Sequence, residues 1–123
     1  MTITRCPGKA VGRSKSVEHG DIIYTVASGP DSPTGLKSQI EQALQQLDAN
    51  LAEAGSDRTH LLSVTVYLTD ISQKPILNEI WDAWIGPDHW PQRACIEVKL
   101  EGDTLVEMVA LAAKFAPLSE SAT

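Results

Sequence analysis

The stretch Leu105-Val106-Glu107-Met108-Val109-Ala110-Leu111-Ala112-Ala113-Lys114-Phe115 decides the architecture. Val106, Met108, Ala110 and Ala112 fall on one parity and Leu105, Val109 and Leu111 on the other, so a strand here is apolar on both faces. A half-wet strand alternates apolar and polar residues, whereas a strand apolar on both sides is covered on both sides. One charge interrupts the run. Glu107 is costly to bury unpaired, and its placement fits a strand end in water, a structural partner of an arginine, or a carboxylate belonging to a binding site.

Upstream, Pro91-Gln92-Arg93-Ala94-Cys95-Ile96-Glu97-Val98 follows the Trp90-Pro91 junction, which holds the backbone extended and blocks helix. Ala94, Ile96, Val98 and Leu100 alternate with Cys95, Glu97 and Lys99, predicting a strand whose first set faces the core. Arg93 then stands where loop meets sheet, on rigid backbone. Its planar fork of donors suits a carboxylate. On position alone, the favoured reading is an exposed arginine that starts the strand and pairs with an acid such as Glu97.

The remaining elements follow from pattern and punctuation. A short strand is expected around Gly12–Val17, after a poorly periodic N-terminus. His19-Gly20-Asp21 reads as a hairpin turn leading into the β-branched run Ile22–Ala27. Ser28–Gly35 is a loop by composition. Leu36, Ile40, Leu44, Leu47 and Leu51 form one helical stripe, with Thr34 or Ser32 as the expected cap and Gly55 as the stop. His60–Thr69 reads as a strand with Leu62, Val64, Val66 and Leu68 on one face. Pro75–Ile85 reads as a second helix whose apolar face is Ile76, Ile80, Trp81, Trp84 and Ile85.

The order is strand, strand, helix, strand, helix, strand, strand. Two helices cannot cover both faces of a five- or six-stranded sheet, so the expectation is an α+β fold with both helices on one face. The other apolar face then requires further subunits. The chain is expected to form a single domain over residues 1–123, with its core at about 12–115 and a polar tail at 116–123.

Composition narrows the function classes. A formal net charge of -6 without a local basic stripe disfavours nucleic acid. No apolar run approaches the ~20 residues of a membrane span, and the N-terminus lacks a secretion signal, so a cytoplasmic location is expected. Two cysteines, Cys6 and Cys95, are too few and too separated for a zinc site or a disulfide framework. No metal site, phosphate loop, dinucleotide fingerprint or serine-nucleophile elbow is present. Cys95 lacks a visible histidine partner and suits a small core position. Asn78 suits either a solvated helix position or the lip of a ligand site. His19, His60 and His89 lie in turns or at element ends, where surface placement is expected.

The order and spacing of several segments together are specific. Gly20-Asp21-Ile22-Ile23-Tyr24-Thr25, Leu44–Gly55, Val64-Thr65-Val66-Tyr67-Leu68-Thr69-Asp70, Asn78–Trp84, Pro91–Val98 and Val106–Ala110 carry the resemblance. Over about Gly20–Lys114, the chain resembles the Rid family of reactive intermediate (imine) deaminases, also called the YjgF/YER057c/UK114 or endoribonuclease L-PSP-like family. It is most like the small YoaB-like members. The resemblance implies a chorismate-mutase-like fold, a homotrimer, and ligand clefts between subunits. It implies a hydrolase that converts small 2-imino or enamine acids to 2-keto acids and ammonia without a cofactor. By that resemblance Arg93 clamps the substrate carboxylate and Glu107 positions or activates water. Asn78, and the backbone near Cys95, Val26 and Ala27, help to hold the ligand. The alternative is a non-catalytic trimeric binder or sensor of 2-keto acids. Archetypal members carry a tyrosine where this chain reads Arg13-Ser14-Lys15, a serine at Val26 and a glycine at Ala27.

Overall fold

A computed structural model describes residues 1–116. The β-branched run forms β3 (Ile22–Ser28), and the doubly apolar stretch forms β6 (Val106–Ala113) beside it, antiparallel from Ile22↔Ala113 to Ser28↔Glu107. Around this pair lie β1 (Ile3–Pro7), β2 (Ser14–His19), β4 (Leu61–Leu68) and β5 (Gln92–Glu97). The sheet order is β1-β2-β3-β6-β4-β5, antiparallel throughout except for the parallel β4–β5 pair. Parallel neighbours need a crossover, and α2 (Lys74–Ile85) supplies it. The predicted mixed sheet carrying two helices is thus observed.

The other helix, α1 (Leu36–Glu53), buries Leu36, Ile40, Leu44, Leu47 and Leu51, the predicted stripe. These join Val64, Val66 and Leu68 of β4, Val106, Met108 and Ala110 of β6, and Leu77 and Trp81 of α2 in one core cluster. Removing a fully buried leucine such as Leu47 from it costs about 2–5 kcal/mol. Gly55, at φ 81, ends the helix as expected. The Ser56 N–H closes on the Leu51 carbonyl at 2.9 Å.

Several expectations are corrected. Neither Ser32 nor Thr34 caps α1: Gly35 is the cap residue and makes no side-chain bond. Their carbonyls instead accept from the buried Gln39 Nε2, at 3.2 and 3.3 Å. A bulge between Leu61 and Ser63 turns Leu62 outward and buries Leu61 instead. In α2 the buried apolar residue of the first turns is Leu77, while Ile76 is exposed. On β5 the faces are reversed: Arg93 and Cys95 pair with Val64 and Val66 on the helix side, and Ala94 and Ile96 point away. Strand β1 was not anticipated, because an exposed edge strand carries no apolar alternation to betray it. All but Ala116 of the predicted polar tail lies outside the described residues.

Candidate functional site

The α2–β5 connection aims Arg93. Gly86 at φ 78 turns the chain out of α2, His89 takes a left-handed φ of 61, and Trp90 Nε1 donates to the Gly86 carbonyl at 2.8 Å. Pro91 then starts the extended backbone, which enters β5, a sheet edge whose outward backbone groups have no neighbouring strand. Arg93 faces α2. Its Nη2 donates to Asn78 Oδ1 at 2.6 Å, and its guanidinium carbon lies 5.3 Å from the centroid of the Trp81 ring. Asn78 and Trp81 are three residues apart and share a helix face, so one helical turn holds the guanidinium by one hydrogen bond and one ring.

The anticipated surface ion pair is absent. Glu97 instead accepts the Ile71 N–H at 3.0 Å, and Arg93 has no carboxylate partner among the described residues. One of its five N–H donors is committed to a protein group, which leaves most of the fork available. Cys95 lies two residues along the same face, half-buried against the core.

Glu107 occupies the opposite face of the sheet. Its register partners are Ser28 on β3 and Tyr67 on β4. Beside that row lie Val26, Val109 and Thr65, then Tyr24 and Leu111. Tyr24, Val26 and Ile96 are 47%, 42% and 45% exposed in the single chain, so this apolar face is uncovered. Glu107 is therefore not the structural partner of Arg93. They lie on opposite sides of the sheet with β4 between their strands. The structure sets Arg93, Asn78 and Cys95 on the helix side of the sheet and Glu107 with Val26 on the other. Ala27 points into the core.

Sequence reasoning missed Ser28 and Tyr67. Ser28-Gly29 reads as loop by composition, yet Ser28 is the last residue of β3, directly across from Glu107. Gly29 N–H donates to the Val106 carbonyl at 2.9 Å, and a Cβ at Gly29 would lie 2.5 Å from Gln39 Oε1. Only glycine fits there. Gln39, bonded to the Ser32 and Thr34 carbonyls, also donates to the Asp103 carbonyl at 2.8 Å and accepts from Leu105 N–H at 2.7 Å, tying the loop that follows Ser28 to the segment that leads into β6. The signal available in sequence was a Ser-Gly pair ending the β-branched run, followed by a glutamine on the helix's buried stripe.

The family description "Endoribonuclease L-PSP" matches residues 7–114. The chain belongs to the YjgF/RutC family. A RutC family protein of Haemophilus ducreyi is 33% identical over 97 residues, covering 77% of this chain and 83% of that protein. The RutC family protein YoaB of Escherichia coli is 30% identical over 100 residues, covering 81% and 87%. Among solved structures, a YjgF family member from Neisseria meningitidis superimposes with a TM-score of 0.88 at 30% identity, covering 95% of this chain and 98% of that one. The family match reaches further towards the N-terminus than the segments from Gly20 onward, taking in the β1–β2 loop. No helix among the described residues is long and apolar enough to cross a membrane.

Proposed function

We propose that this YjgF/RutC protein hydrolyses small 2-imino and enamine acids to 2-keto acids and ammonia, at clefts between the subunits of a homotrimer. The observation that carries the reading is the Arg93 guanidinium, held by Asn78 and Trp81 while most of its fork is free. A bidentate pair with the substrate carboxylate fixes the adjacent imine carbon in position. Water attacks that carbon, Glu107 takes a proton from the water, and the carbon–nitrogen double bond becomes single. Glu107 returns that proton to the nitrogen to give the carbinolamine, whose hydroxyl proton passes the same way as it collapses to the keto group, and nitrogen leaves as ammonia. An enamine first takes a proton on carbon to become the imine.

Arg93 and Glu107 occupy opposite faces of one sheet, so a ligand touching both needs the Arg93 face of one copy against the Glu107 face of another. The uncovered apolar face around Val26, Val109 and Leu111 gives a second copy its reason to dock. Cys6 and Cys95 are both free thiols, which suits the reducing cytoplasm. The acidic chain is a poor host for the RNA backbone that the family's endoribonuclease label suggests.

The test generates imines from several amino acids with an amino-acid oxidase and follows their decay, with Arg93→Ala as the control. Faster decay that needs Arg93 supports the hydrolase. Equal rates for protein and variant on every imine overturn it, and Arg93-dependent keto-acid binding alone would leave a non-catalytic binder. Sedimentation at about three times the chain mass tests the trimer; a monomer at micromolar concentration removes the shared cleft.

A further inference from the structure

The β1–β2 loop carries charge that the hydrolysis as proposed does not use. Arg5, Lys9, Arg13 and Lys15 are four of the chain's ten cations, and residues 1–15 contain no acid, although sixteen acids occur elsewhere. On so acidic a protein, each of these cations could have been neutralised by a neighbour. Lys15 is: its Nζ lies 2.8 Å from Glu53 Oε2. Lys9 and Arg13 have no carboxylate partner among the described residues, and Arg13 Nη1 is steadied by the Val11 carbonyl at 3.0 Å.

These side chains line a shallow, partly open pocket. A cavity of about 240 Å³ is bounded by Lys9, Arg13, Ser14, Lys15 and Val26. A wider groove of about 970 Å³ shares Lys9, Lys15 and Val26 with it and runs on to Ser28, the register partner of Glu107. The two form one hollow, lined also by Asp31 and by Gln42, Gln46 and Asn50 of α1, that joins the unpaired Lys9 and Arg13 to the Ser28 end of β3.

We infer that this hollow receives a second carboxylate, so that the preferred ligands are 2-imino and 2-keto dicarboxylic acids. The inference rests on the reading of the cleft given above, in which Arg93 of one copy holds the first carboxylate. Lys9 and Arg13 of the facing copy meet the second, at the far end of a short carbon chain. The pocket at Lys9 and Arg13, about 240 Å³, holds the end of a small acid, and charge-assisted hydrogen bonds there favour the dianion over an apolar side chain.

The test measures calorimetric binding of 2-oxoglutarate and 2-oxobutyrate to the full chain at low ionic strength, with Lys9→Ala/Arg13→Ala and Arg13→Glu as variants. The expected result is at least tenfold tighter binding of 2-oxoglutarate by the unaltered protein. That ratio should collapse towards one in the double variant and invert in Arg13→Glu. Both substitutions fall on exposed loop side chains, and circular dichroism checks that the variants are folded. An unaltered protein without the preference, a ratio that survives in the variants, or full displacement by equimolar inorganic phosphate overturns this inference while leaving the hydrolase reading in place. Failure to bind either keto acid, with no imine turnover, overturns both.

Discussion

Arg93 and Glu107 stand on opposite faces of the same sheet, with β4 between their strands. The pairing Val64↔Arg93 puts the guanidinium on the helix side, while Tyr67↔Glu107 puts the carboxylate on the bare side. No small ligand reaches both within one chain. If both act on one substrate, each site takes them from different subunits, and the two defects complement. Arg93→Ala and Glu107→Gln proteins, each inactive alone, should recover about a quarter of full imine turnover when mixed and reassembled at equal ratio. A mixture as inactive as its components would place both residues in one chain's site and contradict the sheet geometry.

The contact from Arg93 Nη2 to Asn78 Oδ1, at 2.6 Å, predicts a selective way to disable the clamp. In Asn78→Asp the same atom carries charge, and the guanidinium acquires an internal carboxylate. Charge-assisted bonds are worth about 1.5–3 kcal/mol, so keto-acid affinity should fall on the order of tenfold or more while the fold is unharmed. Calorimetry with 2-oxobutyrate measures the first and urea unfolding the second. Undiminished affinity would mean that the carboxylate binds elsewhere.

Much of the fold was legible because burial imposes period. The Leu36–Leu51 stripe, the Ile22–Ala27 run and the doubly apolar 105–115 stretch each need a partner surface, and together they specify a sheet with helices on one side. The failures occur where that constraint is weak. β1 is an edge strand with little to bury, and the bulge at Leu61/Ser63 exchanges Leu62 for Leu61 through hydrogen bonding that composition does not encode. On β5, Ala94 and Ile96 are apolar because they share the uncovered face with Val109 and Leu111, not because they face the helices. Apolar character alone cannot distinguish an inner core from a subunit face. For the site, Arg93 and Glu107 stood out as polar interruptions of apolar strands. Ser28 did not, since only the register against Glu107 gives it a place.

Asp48 ties the two helices together. Its Oδ1 accepts from Arg58 Nε at 3.2 Å, and its Oδ2 from Arg58 Nη2 at 2.5 Å and Trp84 Nε1 at 3.0 Å. Arg58 Nη1 also donates to the Trp84 carbonyl at 2.5 Å, and its guanidinium carbon lies 4.5 Å from the centroid of the Trp84 ring. Both charged side chains are 36% exposed, so solvent screening discounts the ion pair but not the fixed geometry. Asp48→Ala should cost about 2 kcal/mol in urea unfolding. Arg58→Ala should cost a similar amount, and the double variant less than the sum, because one network is lost twice. Additive costs would show that the contacts act independently.

Asp57 predicts an acid-sensitive turn. Its Oδ1 accepts the Thr59 hydroxyl at 2.5 Å and the Thr59 N–H at 2.9 Å, capping the single 3₁₀ turn Arg58–His60. The Thr59 hydroxyl foremost, with the Thr59 N–H and His60, holds this carboxyl below its ordinary value against the opposing effect of desolvation. A carboxyl depressed in the folded state is protonated first in the unfolded chain. Its contribution is therefore complete above the unfolded value, near about 4, and is lost as the pH falls through the folded one. Asp57→Asn keeps a capping oxygen without a titrating group, so its stability should decline less steeply than that of the unaltered protein below about pH 4. Asp57→Ala removes the cap outright and should cost about 1 kcal/mol at neutral pH. Urea midpoints of all three proteins across that range decide the matter. Parallel declines for the aspartate and the asparagine would mean that the Thr59 bonds favour neither protonation state.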